Sequence, residues 1–155
     1  MRRKDREVTD RAELEAILSE AQVCRIAFAT EGAPYIVALN FGFDWTDELC
    51  LYFHGASKGR KLDLMAGGGL VGFQLEGRSE LVRGPAACDW GMRYSSIVGS
   101  GDLEELREPA ERRRGLDLIM AHYGFEGAPH YNEGSMAATT VLRLRAQKMS
   151  GKRRA

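Results

Sequence analysis

The chain has 155 residues, enough for one domain around one core, and its 44% hydrophobic and 28% charged residues are those of an ordinary globular protein. Lysine plus arginine balance aspartate plus glutamate at 22 each, so no net field draws the whole molecule to nucleic acid or to an anionic membrane. No apolar run approaches the ~20 residues that span a bilayer, and the charged opening Met1 to Glu7 is followed by no apolar segment of the kind a signal peptide needs.

Taken in chain order, the first element is a helix over 11–21. Asp10 followed by Glu13 resembles a capping box, and Leu14, Ile17, Leu18 and Ala21 recur at helical spacing. Three strand-like runs follow. Val23 to Ala29 is the first. Pro34 to Phe43, apolar on both faces until Asn40, reads as central and buried. Leu49 to His54 is the third, and the short connections between them imply an antiparallel meander. Ser57 to Ala66 reads as a short helix with Ser57 as its N-cap and Gly67-Gly68-Gly69 as its stop.

Leu70 to Glu76 is a fourth strand with Val71, Phe73 and Leu75 on one face, and 77–91 reads as a strand end and loop. Arg93 to Leu103 is a fifth strand interrupted by glycines. Pro109 suits the first turn of a helix, whose Leu116, Ile119, Met120 and Tyr123 share a face. Residues 124–137 read as irregular and Thr139 to Gln147 as the last strand. Six antiparallel strands with three helices imply a mainly β, α+β chain folded as a closed or nearly closed barrel. Residues 1–147 form one domain, and the basic stretch 148–155 is expected to be a loose tail.

Three cysteines, Cys24, Cys50 and Cys88, lie far apart, are odd in number and form no Cys-x-x-Cys. They read as reduced thiols, at least two of them in strands, which fits a reducing cytoplasm rather than a disulfide framework or a metal centre. The three histidines, His54, His122 and His130, show no ligand spacing, so no metal is expected.

The stretch Leu51-Tyr52-Phe53-His54-Gly55-Ala56-Ser57-Lys58-Gly59-Arg60-Lys61-Leu62-Asp63 carries the most chemistry. Lys58, Arg60 and Lys61 fall in or beside the first turn of the short helix, where the macrodipole disfavours a cation by about 0.3–1 kcal/mol. A phosphate-sized anion would reverse that sign and would also take the backbone N–H groups and the Ser57 hydroxyl. The bland alternative is three solvated side chains, with Asp63 reducing the local field. His54 ends its strand just before this turn, as a ligand-facing or a structural histidine. Asn40 needs a partner, either a ligand edge or a backbone group. Tyr94, Ser95 and Ser96 offer three hydroxyls that cross-strand bonds would also explain.

Asn40-Phe41-Gly42-Phe43-Asp44, the stretch Leu51 to Asp63, Cys88-Asp89-Trp90, Tyr94-Ser95-Ser96-Ile97-Val98-Gly99, the opening Met1 to Glu7 and the closing Ser150-Gly151-Lys152-Arg153 together resemble the pyridoxamine 5′-phosphate oxidase-related flavoproteins, and most closely their 5-nitroimidazole-resistance subgroup. The resemblance implies an FMN-binding split β-barrel that works as a homodimer, with flavin at the subunit interface. It implies that Gly55, Ser57, Lys58, Arg60 and Lys61 hold the phosphate. Val37, Ala38, Leu39 and Asn40 would meet the ring edge, and His54, the one candidate catalytic residue, would lie near the flavin. Tyr94, Ser95 and Ser96 would come from the partner. True pyridoxamine-phosphate oxidases carry a C-terminal Trp and Arg that hold flavin and substrate. Here no tryptophan follows Trp90, so that activity is not implied.

The leading expectation is therefore an FMN-dependent oxidoreductase, served by a small-molecule or protein electron donor and possessing a nitroaromatic acceptor by resemblance alone. A non-catalytic flavin-binding or redox-sensing module is the first rival. A related barrel holding a deazaflavin or haem is the second, and a barrel that binds nucleic acid or another phosphorylated ligand through the same cations is the third; the balanced charge argues against nucleic acid.

Overall fold

The computed structural model describes residues 3–66 and 69–154. After a 3-10 turn at Lys4–Arg6 the elements run β1 (Glu7–Val8), α1 (Arg11–Glu20), β2 (Cys24–Phe28), β3 (Tyr35–Leu39), β4 (Phe41–Asp44), β5 (Cys50–Ala56), α2 (Arg60–Met65), β6 (Leu70–Val82), a 3-10 turn at Ala87–Asp89, β7 (Gly91–Leu106), α3 (Pro109–His122), α4 (Glu133–Ala138) and β8 (Thr139–Arg154). All pairings are antiparallel, in the order β3-β2-β6-β7-β8-β5-β4, with β1 beside β8. The two end strands, β3 and β4, are consecutive in the chain and joined through Asn40. The sheet thus curls into a barrel that its hydrogen bonds leave open on one side: the fold is a split barrel.

The expected helices and inward faces recur. Asp10 accepts the Glu13 N–H and caps α1, and Leu14, Ile17 and Leu18 are buried. Alternation along β5 sends Leu51 and Phe53 into the barrel, where they meet Phe41, Ile26, Phe73, Leu75, Ile97, Leu142 and Leu144. Cys50 and Tyr52 point the other way, into a second core with Leu106, Leu116, Ile119 and Val141. Leu116 and Ile119 thereby dock α3 on the outside of the barrel, each contributing at most about 1.5–3 kcal/mol. Among the described residues no helix is long and apolar enough to cross a membrane.

Several expectations are corrected. Pro34–Phe43 is not one central strand: it breaks at Asn40 into two end strands, and Ile36 on β3 is 61% exposed. Its two apolar faces reflect the open side of the barrel rather than burial in a sheet centre. Ser57 is not the N-cap of α2; Gly59 is, at φ 137°, a conformation that a β-carbon disfavours, and the helix begins at Arg60. The glycine stop falls on Gly67 and Gly68, which lie outside the described residues, as do Met1, Arg2 and Ala155.

The strand end and loop expected over 77–91 are found: β6 continues to Val82, residues 83–90 connect, and β7 pairs back from Gly91 across a register shift between Glu76 and Ser79. The end of the stretch 124–137 is not irregular: residues Glu133–Ala138 form α4, capped by Asn132. The basic tail is not loose: Lys148 to Arg154 continue β8 against β7, and Gly151 also pairs with Val8 of β1. Eight strands replace the expected six because β1 was not anticipated and one run divides in two.

Candidate functional site

The β5–α2 junction gathers most of the expected residues. His54 and Gly55 end β5, and Ser57, Lys58 and Arg60 are exposed on the turn. Lys61 is half-buried and folds back over the strand end: a β-carbon on Gly55 would stand 2.6 Å from its Nζ. A side chain at position 55 would push the Lys61 ammonium from this place. The Arg60 guanidinium lies 4.7 Å from the centre of the Tyr35 ring, which ties the turn to the start of β3. Among the described residues none of Lys58, Arg60 and Lys61 has a carboxylate within ion-pair distance, and Asp63 does not neutralise them. Three cations on one turn without a carboxylate partner, two of them exposed and Lys61 half-buried, make a site that favours an anion.

Residues 37–40 lie on the open side of the barrel beside this turn. Phe41 pairs with Phe53, so Asn40 stands at the level of His54. Within the chain Asn40 has a partner that was not anticipated, a side-chain hydroxyl. Its Nδ2 donates to the Tyr123 hydroxyl at 3.1 Å, and the Phe41 N–H donates to the same oxygen at 3.2 Å. That hydroxyl donates to the Gln22 carbonyl at 2.6 Å. Tyr123, at the end of α3, therefore ties the joint between β3 and β4 to Gln22, just before β2, and the neighbouring His122 ring sits 2.7 Å from the Ala21 carbonyl and 4.5 Å from the Phe41 ring centre. Sequence reasoning placed Tyr123 only on an apolar face. The signal it passed over is a hydroxyl ending that face, which must find a polar partner.

His54 is exposed, and among the described residues nothing hydrogen-bonds its ring. It borders a cleft of about 200 Å³ between α3 and α4. Tyr94, Ser95 and Ser96 do not join this group within the chain. His54 stands opposite Val141 of β8 and Tyr94 opposite Arg154, thirteen positions further on, which is roughly 40 Å of strand. Ser95 is buried, and Tyr94 and Ser95 line a groove where Arg78, Arg93, Arg153 and Arg154 outnumber Glu20 and Glu80. The Lys152 ammonium lies 5.4 Å from the Tyr94 ring centre, and a hydrogen bond from it lowers the phenol's pKa. This second basic surface was missed because 148–155 looked like a tail. Its alternation of Lys148, Ser150, Lys152 and Arg154 has the period of a strand.

The family model described as pyridoxamine 5′-phosphate oxidase matches residues 10–153. Among solved structures, a proposed 5-nitroimidazole antibiotic resistance protein from Bacteroides thetaiotaomicron is 27% identical, with TM-score 0.80 over 94% of this chain and 85% of that one. An FAD- and haem-binding protein from Mycobacterium smegmatis is 21% identical, with TM-score 0.76 over 96% and 73% of the two chains. A flavocytochrome from Azotobacter vinelandii is 18% identical, with TM-score 0.78 over 100% and 72%. None of the curated proteins matches the chain. The open barrel, the basic turn at the end of β5 and a family match running from α1 to the end of β8 agree: the chain belongs to the pyridoxamine 5′-phosphate oxidase family of flavin-binding split barrels.

Proposed function

We propose that this chain is an FMN-dependent oxidoreductase that works as a cytoplasmic homodimer, with a nitroaromatic such as a 5-nitroimidazole as electron acceptor. The observation that carries the cofactor is the Ser57–Lys61 turn, where Lys58, Arg60 and Lys61 lack carboxylate partners among the described residues and Gly55 leaves room for the Lys61 ammonium. A phosphate dianion fits that donor set: two kinds of cation, a serine hydroxyl and a glycine-containing turn. Three cations on one turn match the single terminal phosphate of FMN. The backbone of Val37, Ala38, Leu39 and Asn40 would meet the ring edge. Bound flavin would supply the electron transfer, and the chain would supply position, charge and exclusion of water.

Two features support the dimer. Ile36 on β3 and Val98 on β7 are 61% and 53% exposed, large apolar side chains that a second copy would cover. Tyr94, Ser95 and Ser96 lie far along the β7–β8 ribbon from His54, so their proposed role requires a partner subunit. The acceptor rests on the likeness to the Bacteroides protein. Cytoplasmic residence rests on three free cysteines, which suit a reducing compartment.

The test is the absorption spectrum of the purified protein before and after FMN is added. Near-stoichiometric flavin bands are expected. Arg60→Ala and Lys61→Ala should each weaken binding about 10- to 150-fold, the equivalent of losing one charge-assisted bond of roughly 1.5–3 kcal/mol. Unchanged affinity in both variants would refute the phosphate assignment. His54→Ala should alter reactivity more than affinity. Anaerobic mixing with NADH or NADPH separates an enzyme, whose flavin bleaches rapidly, from a binding module that does not turn over.

A further inference from the structure

The cleft behind His54 has walls of one chemical kind. Leu116, Ile119, Met120 and Met136 make it aliphatic and thioether, and Tyr131 closes one side. Leu116 and Ile119 are buried, Met120 and Met136 half-buried. The two methionines give an adaptable, polarisable surface that suits a flat π-system. No carboxylate, ammonium or guanidinium lines the space.

Two of the four polar side chains around the cleft are already committed. The Tyr131 hydroxyl donates to Asp117 Oδ1 at 3.0 Å, and burial, then Asp117, pushes its pKa up to about 12. Thr139 Oγ1 donates to the Ser135 carbonyl at 2.8 Å. Among the described residues, two polar groups on the lining have no such engagement: the His54 imidazole and the Ser135 hydroxyl. Both lie at the exposed rim.

The walls are also held in place. Arg112 of α3 donates to the carbonyls of Met136 and Thr139, the latter at 2.7 Å, and so fastens α4 to α3. The Tyr131–Asp117 bond fastens the connecting loop to the same helix, and the Arg113 guanidinium lies 5.4 Å from the centre of the Tyr131 ring. A cleft whose walls are fixed before binding avoids the ordering cost of forming one around a ligand.

The geometry points to this cleft as the binding site for a small uncharged ring: a single aromatic or heteroaromatic ring, its apolar face between Met120 and Met136 and one polar substituent at His54 and Ser135. Its volume of about 200 Å³ lies below the roughly 300 Å³ at which drug-sized sites begin and above the roughly 150 Å³ apolar cavity that accommodates benzene. A charged ring would enter without a partner and lose its hydration. This gives the acceptor of the proposed oxidoreductase a location and a preference for an uncharged ring. Its catalytic meaning rests on the flavin reading; the binding itself does not.

The experiment is ligand-observed NMR with 1-methyl-5-nitroimidazole as the neutral ring and benzoate as the charged one, on the protein with and without added FMN. The neutral ring is expected to bind the wild-type chain at least tenfold more tightly than benzoate. Met120→Trp and Met136→Trp each fill the cleft, and either should weaken the neutral ring at least tenfold while leaving FMN binding unchanged. Two variants on different helices keep the test usable if one fails to fold. Equal binding of both rings, or undiminished binding to a folded Trp variant, would overturn the assignment. Neutral-ring binding that the Trp variants abolish, in a chain that takes up no FMN, would uphold the cleft and refute the flavin reading. FMN uptake without ring binding would do the reverse.

Discussion

Replacing Tyr123 by phenylalanine tests how the barrel's open side is held. The change removes one oxygen and leaves the ring. That oxygen donates to the Gln22 carbonyl at 2.6 Å and accepts from Phe41 N and Asn40 Nδ2 at 3.2 and 3.1 Å. Gln22 and Asn40 are exposed and water can replace the lost partner, so their contribution to the cost is small. Phe41 is fully buried, at 0% exposure, and its N–H would be left unmet. One orphaned buried donor costs about 1–3 kcal/mol. For a chain of this size the midpoint of thermal unfolding should fall by about 2–10 °C. Urea titration at fixed protein concentration should show the loss with an unchanged m-value. Hydrogen exchange at the Phe41 amide should accelerate more than at its β5 neighbour Phe53. A loss below about 0.5 kcal/mol, with Phe41 exchange unaltered, would refute the assignment of Tyr123 as the bridge.

Three further outcomes follow from the same geometry. Truncation after Gln147 unpairs Ile97 and Val8, both buried and both opposite Gly151. At roughly 1.5–3 kcal/mol per side chain it should cost more than about 3 kcal/mol in urea unfolding, whereas a dispensable tail would cost nothing. In native protein near pH 8 a thiol reagent should modify Cys88 quickly and Cys24 only at the rate of opening. Cys88 is exposed, and burial pushes the Cys24 thiol up to about 12; fast labelling of Cys24 would contradict its place in the core. The raised pKa also sets an alkaline trend. Because the folded state keeps the Cys24 proton while the unfolded state releases it near 9, stability is full below about pH 9 and falls between there and 12. The slope from this one thiol reaches about 1.4 kcal/mol per pH unit, and Tyr131, raised to about 12, adds in the same direction. Unfolding midpoints that rise over that range would reverse the sign and refute the reasoning.

What could be read from the residues alone followed the strength of the local pattern. Helix α1 was legible from Asp10 and the spacing of Leu14, Ile17 and Leu18, because cap and periodicity agreed. The inward face of β6 was legible from Val71, Phe73 and Leu75. The Lys58–Lys61 turn was legible because cations at a helix start are electrostatically out of place. Ser57 misled because Ser is a strong capping residue, yet Gly59 occupies a backbone conformation that decided the helix start instead. The tail misled for a different reason: charge was read as solvation. In β8 the residues Lys148, Lys152 and Arg154 stand on a strand whose stability comes from backbone pairing with β7, a contact some fifty residues distant in sequence that no local pattern encodes.

The doubly apolar run Pro34–Phe43 shows where local reading reaches its limit and where assembly begins. Two apolar faces mean burial on both sides, and within one chain β3 is an end strand with Ile36 61% exposed. Either the pattern is accidental or the missing cover comes from outside the chain. The position of the strand favours the second. β3 borders the open side of the barrel, Arg60 reaches its Tyr35, and Tyr123 ties the Asn40 joint that follows it to Gln22. An end strand with unpaired backbone groups and an exposed isoleucine is otherwise a liability. Flavin on its backbone edge and a second subunit over its side chains would remove that liability together. Under the proposed function, the run's composition would describe the assembled protein with its flavin rather than the isolated barrel.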